Sequence, residues 1–227
     1  MILVTGASEG IGFACVRELL ARTRASVLIT GRDRWKLERA RETLGCSAMV
    51  CDQGNERDVG ALMASLEQHA IEGAILTVGV NPAYAEGPRR LHALSAATIE
   101  DTVRTNCVHA LRLTTALLDR FRRRRCGVLV WIGSQAQSVG LPGAGLYCAT
   151  KSFLSGLART AHHEYAERGI RVHLAHPGIV RTPRTAAVAD AFAQRHGLRV
   201  AEAPDVARQI VDLYCGGDPE AVEVSLC

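Results

Sequence analysis

The sequence predicts an α/β protein, a single doubly wound domain over residues 1–227 built around a seven-stranded parallel sheet. Three observations lead there. Short runs rich in β-branched residues recur without strict polar alternation, as expected of strands buried on both faces. Segments with helical spacing of apolar residues lie between them. The chain of 227 residues, 48% hydrophobic and 22% charged, is long enough for one sizeable α/β core and short for two.

The elements follow in order. Strands are read at 2–5 (I-L-V-T), 26–30 (S-V-L-I-T), 48–51 (A-M-V-C) and 74–78 (A-I-L-T-V). Three more are read at 128–132 (V-L-V-W-I), 170–175 (I-R-V-H-L-A) and 221–226 (A-V-E-V-S-L). Helical faces are read at 11–22, where Ile11, Cys15, Leu19 and Leu20 share one side, and at 34–44, 58–70, 97–121, 149–167 and 204–215. Strand alternating with helix predicts a parallel sheet covered on both sides. The stretch 181–203, with Pro183, Gly197 and Pro204 around it, interrupts this alternation. It is too long for a plain connection and is read as a substrate lid near 183–203 or an irregular helical excursion.

Composition sets several function classes aside. The net charge of +4 is mild, and the basic residues are scattered apart from Arg122 to Arg125. That run is a nucleic-acid patch or the solvated end of a helix; no aromatic platform accompanies it, and cations at a helix C-terminus complement its dipole. No nucleic-acid partner is expected. The longest purely apolar runs are about half a dozen residues, against the ~20 needed to cross a bilayer, so no membrane partner is expected either. Eight cysteines, at 15, 46, 51, 107, 126, 148, 215 and 227, form no C-x-x-C, and several sit inside apolar runs. With no signal-peptide pattern after Met1, a cytoplasmic protein is predicted. His162, His163 and His176 show no metal-ligand spacing, and no metal is expected.

The first strand runs into T-G-A-S-E-G-I-G at 5–12, which then opens a helix. Glycines there let the backbone turn tightly and approach a pyrophosphate, while the helix N-terminus offers amide donors. A glycine-rich turn alone is a weak signal, and its place between strand and helix strengthens it. Gly6, Gly10 and Gly12 are spaced G-x-x-x-G-x-G, a version that resembles the short-chain dehydrogenase/reductase family. Later motifs fall in that family's order over nearly the whole chain. The resemblance implies a Rossmann-type fold, with Gly6, Ser8, Glu9, Gly10, Ile11 and Gly12 in the cofactor-binding turn.

The second strand ends L-I-T-G-R-D. A carboxylate at its end would bind the ribose hydroxyls of NAD. Here Gly31 stands at the turn and Arg32 follows, and a guanidinium would pair with a 2′-phosphate, so NADP(H) is predicted. Asp33 is placed to cap the next helix. NADP-preferring members often carry a second basic residue in the glycine loop, where this chain has Glu9. Asp52 matches the family aspartate that accepts from the adenine amino group; a turn or N-cap role suits it equally. Where the family writes N-N-A-G after the fourth strand, this chain writes L-T-V-G at 76–79. Gly79 keeps the close backbone approach, and Asn81 either substitutes for part of the lost network or shapes the turn before Pro82.

Of 27 lysines and arginines only Lys36 and Lys151 are lysine, and Lys151 stands four residues after Tyr147. At that spacing the two side chains share one helical face. Ser134 closes the apolar strand G-V-L-V-W-I-G, at the carboxyl end that faces the ligand crevice of a parallel sheet. A bland alternative makes Tyr147 a packing residue and Lys151 a snorkelling one. Ser134, Tyr147 and Lys151 resemble the family's catalytic serine, tyrosine and lysine at matching intervals, and Asn106 matches its fourth catalytic residue. The resemblance implies a proton-transferring Tyr147, a Ser134 that bonds the substrate oxygen, and a Lys151 that binds nicotinamide ribose hydroxyls. Asn106 would hold a water linking the lysine to solvent. A cation near the phenol is expected to lower its pKa from ~10. P-G-I-V-R-T resembles the family's P-G-x-V-x-T, and the resemblance implies that Pro177, Gly178, Val180 and Thr182 wrap the nicotinamide amide, with Thr182 as the side-chain contact.

The expected protein is an NADP-dependent oxidoreductase interconverting a ketone and a secondary alcohol, acting as a reductase on a small-molecule substrate. An NAD-linked alcohol dehydrogenase and a non-enzymatic NADP sensor are the alternatives; binding alone does not require a tuned phenol, which favours the enzyme. Tyr84, His92, Gln135, Gln137, Arg181 and Arg184 are the candidates to edge the pocket. The resemblance also implies a homodimer or homotetramer formed through the helices at 97–121 and 149–167.

Overall fold

The computed structural model describes residues 1–226, apart from the side chains at 195 and 196; Cys227 lies outside the described residues. Its strands are β1 (Ile2–Thr5), β2 (Val27–Gly31), β3 (Ser47–Val50), β4 (Gly73–Leu76), β5 (Gly127–Ile132) and β6 (Ile170–Pro177). The short β7 (Ile179–Arg181) and β8 (Val200–Glu202) pair with each other, and β9 (Glu223–Leu226) returns to the main sheet. That sheet has seven parallel strands in the order β3-β2-β1-β4-β5-β6-β9. The predicted strands all appear, within one or two residues of the expected bounds.

The helices in chain order are α1 (Gly10–Arg22), α2 (Arg34–Leu44), α3 (Glu56–Leu66), α4 (Ala83–Glu86), α5 (Ala96–Val103) and α6 (Ala110–Arg124). They continue with α7 (Ala136–Val139), α8 (Gly145–Tyr165), α9 (Ala186–His196) and α10 (Ala203–Gly216). The strands look continuously apolar because each feeds two cores. Ile2, Val4, Val27, Ile29, Val130 and Ile132 point to one face, covered by α1, α2 and α10. Leu3, Leu28, Leu129 and Trp131 point to the other, covered by α3, α6 and α8. Burial on both faces is what right-handed crossovers of a parallel sheet produce.

Local chemistry sets the helix starts. Asp33 accepts a bond from the Lys36 amide (3.0 Å), as its position predicted, Asn55 accepts from Arg57 (2.9 Å) and Ser95 from Thr98 (3.1 Å). The Arg122–Arg125 run ends α6, where Arg122 and Arg123 pair with Asp119 and Arg124 donates to the Ile71 carbonyl oxygen. The helix-end reading of that run holds. The described cysteines are all free, and no helix among the described residues is long and apolar enough to cross a membrane.

Two segments depart from the sequence reading. The helix expected over 97–121 is interrupted by a π turn at Arg104–His109, which contains Asn106. The stretch after β6 is ordered rather than irregular: β7 and β8 pair in parallel on either side of α9. Arg181 clamps this unit, donating to both carboxylate oxygens of Asp190 and to Glu202. Ile99, Val108 and Leu111, with Phe153 of α8, leave apolar surface exposed on the two long helical segments.

Candidate active site

At the carboxyl ends of the central strands, β1 and β4 are neighbours while their outgoing connections diverge, which opens a crevice between them. The glycine turn lines one end. Gly10 has φ +64°, and a Cβ on Gly12 would stand 2.5 Å from the Gly6 carbonyl oxygen, so both positions require glycine. Among the described residues no side chain caps α1, which leaves its first-turn amides without a side-chain partner. An uncapped helix end behind a glycine-rich turn fits a phosphate group.

Arg32 is exposed beside this turn. Glu9 accepts an ion-pair bond from Lys36 of α2 at 2.8 Å, so the loop carboxylate is neutralised by a residue 27 positions away. Lys36 is the partner of the glycine turn that sequence reasoning missed, although its rarity as a lysine marked it. Asp52 folds a turn, accepting from the Gly54 amide at 2.8 Å. Gly10 faces Thr182, whose Cβ lies 3.4 Å from where a Gly10 side chain would begin. P-G-I-V-R-T and the glycine turn thus form opposing walls. Pro177 accepts from the Gln135 amide (3.1 Å), Gly178 packs on the Gln135 side chain, and Val180 accepts from Thr185 (2.6 Å).

The other end of the crevice holds the four predicted catalytic residues. Ser134 leaves β5, and its Oγ accepts from the Ala136 amide at 3.1 Å. α8 starts at Gly145, earlier than predicted, which places Tyr147 in its first turn and Lys151 one turn on. The Ser134 and Tyr147 hydroxyls hydrogen-bond to each other. Lys151 is 3% exposed, donates to the Ile132 carbonyl oxygen at 2.7 Å, and lies 5.6 Å from the centre of the Tyr147 ring. Asn106, 3% exposed, binds the Val80 peptide with both ends of its amide: Oδ1 accepts from the Val80 N–H and Nδ2 donates to its C=O, each at 2.8 Å. Nδ2 also donates to Thr150.

This pincer grips the loop after β4, where Asn81 accepts from the Ala83 amide and shapes the turn. Thr77 ties the same loop to Thr5 through a 2.6 Å bond. Gly79 approaches the lysine so closely that its Cβ would stand 3.0 Å from Lys151 Nζ.

The electrostatics correct one expectation. Tyr147 is pushed up to about 12, not down, because burial opposes the phenolate more than the Ser134 hydrogen bond and the Arg184 charge favour it. Burial also brings Lys151 down to about 8. A lysine that struggles to keep its own proton is a weak support for a phenolate.

Among the predicted pocket residues, Arg184 reaches the Gly79 carbonyl oxygen (3.2 Å), and Tyr84 bonds Asn81. Gln135 and Gln137 instead turn towards the sheet edge: Gln135 donates to Leu226 O and Gln137 to Glu223, which also holds His176. His92 is exposed on a 3₁₀ turn at Leu91–Ala93. Arg181 is engaged in its clamp.

A family model described as short chain dehydrogenase matches residues 1–192. A 3-oxoacyl-(acyl-carrier-protein) reductase of Salmonella typhimurium is 31% identical over 188 residues, covering 83% of this chain and 76% of the relative. A human dehydrogenase/reductase SDR family member 2, mitochondrial, is 30% identical over 97% of this chain and 81% of its own length. A solved short-chain dehydrogenase from Sphingobium yanoikuyae in complex with NADPH superposes with a TM-score of 0.81 at 25% identity, covering 99% of this chain and 86% of that one.

Proposed function

This chain belongs to the short-chain dehydrogenase family, oxidoreductases acting on carbonyl and alcohol groups, and from that premise we propose an NADP-dependent reductase of a small-molecule ketone with Tyr147 as proton donor. The supporting observation is the tyrosine itself: hydrogen-bonded to Ser134 and held protonated by burial, it is poised to give a proton rather than take one. The bacterial relative is named for a 3-oxoacyl substrate, which is a ketone, and the solved relative holds NADPH.

The nicotinamide would supply the hydride. Ser134 and Tyr147 would converge on the substrate oxygen, and Tyr147 would release its proton there as negative charge grows, an alkoxide being a stronger base than a phenolate. Lys151 has two N–H donors beyond its bond to Ile132, enough for ribose hydroxyls and a water. Asn106 acts by fixing the loop that carries Gly79 against the lysine. For the 2′-phosphate, Arg32 provides the fork, and Lys36 removes the repulsion that Glu9 would exert.

NADPH is expected to bind at least tenfold tighter than NADH, about 1.4 kcal/mol, and Arg32→Ala to erase most of that ratio in a fluorescence titration. NADPH should be consumed with simple diketones or quinones. Equal affinities for the two nucleotides would remove the NADP assignment, and no consumption with any carbonyl would remove the reductase.

We also propose that 183–203 closes as a lid over the occupied crevice. Limited proteolysis should cut there first in the free protein and more slowly with NADPH; equal resistance in both states would make it a static part of the fold.

A further inference from the structure

We infer that Arg184 recognises an anionic group of the substrate, so that the favoured ketone is an oxo acid. This rests on the reductase reading and goes beyond it to substrate class. Arg184 follows Pro183 at the start of the segment after β7, and its side chain crosses to the loop after β4, where Nη1 donates to Gly79 O at 3.2 Å. Gly79 is the residue pressed against the catalytic lysine, since a Cβ added to it would stand 3.0 Å from Nζ. The guanidinium therefore lies at the reacting end of the crevice, close enough to favour the charged forms of both Tyr147 and Tyr84.

Its bonding is conspicuously incomplete. The Gly79 carbonyl is its one hydrogen-bond partner among the described residues, and no described carboxylate pairs with it. Arg181, three residues earlier, is by contrast paired with two carboxylates, Asp190 and Glu202. Among the described residues Lys151 likewise has a carbonyl oxygen and no carboxylate as its partner. Two cations without a countercharge at one end of a crevice attract an anion to that end. The planar guanidinium fork, with four N–H donors beyond the one on Gly79, suits a carboxylate in a bidentate pair. Half-exposed Tyr84, on α4 and bonded to Asn81, stands beside it as a further hydroxyl donor.

The test uses 2-oxopropanoate, 3-oxobutanoate and 4-oxopentanoate, each with its methyl ester, on the full chain and on Arg184→Ala and Arg184→Lys. At least one acid should exceed its ester tenfold or more in kcat/KM, chiefly through KM. Arg184→Ala should reduce that preference to less than threefold, and Arg184→Lys should keep part of it. NADPH affinity is measured in parallel by fluorescence. An ester used as well as its acid overturns the inference and leaves the reductase standing. So does an Arg184→Ala protein that binds NADPH tenfold more weakly but keeps the acid preference, since the arginine would then serve a cofactor phosphate. If neither acid nor ester is turned over, the reductase reading fails for these ketones, and calorimetry decides the inference separately. An acid must then bind the wild-type NADP complex more tightly than the Arg184→Ala complex, and equal or absent binding overturns it.

Discussion

Tyr147→Phe should slow single-turnover hydride transfer by about two to four orders of magnitude, the usual worth of a positioned general acid, while NADPH affinity changes less than threefold. The phenyl ring keeps the packing in the first turn of α8 and loses only the hydroxyl that bonds Ser134. Because burial holds that phenol near 12, the wild-type protein enters reduction with its proton in place at any physiological pH. Reduction should be flat with pH up to about 8 and decline above it, as Lys151 with its pKa near 8 gives up its charge. Alcohol oxidation needs the phenolate and should rise with pH over the same range. A phenylalanine variant with near-wild-type transfer would take the proton role away from Tyr147.

Lys151→Arg should fold and lose at least about a hundredfold in the same single-turnover measurement, whereas Lys151→Met should be equally inactive but more stable. The ammonium lies between the Ile132 carbonyl oxygen at 2.7 Å and the Gly79 backbone, where a wider, planar group would have to displace one of them. A guanidinium also cannot shed its proton to ease burial. The sign of the stability effect follows from the depressed pKa. Below pH 8 Lys151 is charged in folded and unfolded chains alike, and folding carries the whole desolvation cost. Between 8 and the ordinary value of 10.5 the folded protein gives up its proton first, so the cost shrinks; above 10.5 it is gone. Removing the charge should therefore stabilise by up to about 3 kcal/mol at pH 7, with the gain vanishing near pH 10.5. Denaturant melts of both proteins across that range provide the check, and a gain independent of pH would mean that packing, not charge, sets it.

The sheet was legible because its signal is local and repeated. Each strand carries an apolar run that only a two-sided burial explains, and each helix carries its own stripe. Tyr147, Lys151 and Ser134 were legible for a related reason: two lie one turn apart on a single helix, and the third ends a strand, so spacing alone brings them to one edge.

What the tertiary structure decided is what depends on groups distant in the chain. The π turn at Arg104–His109 has no glycine or proline to announce it; it forms where Asn106 can grip the Val80 peptide, 26 residues away. Glu9 reads as a defect in a phosphate-binding loop until α2 brings Lys36 to within 2.8 Å of it. The tyrosine's pKa moved opposite to expectation because a pattern of residue types shows which charges are near but not how much water has been removed from them. Burial is a property of the packed whole, and at Tyr147 and Lys151 it outweighs the neighbours that the sequence could name.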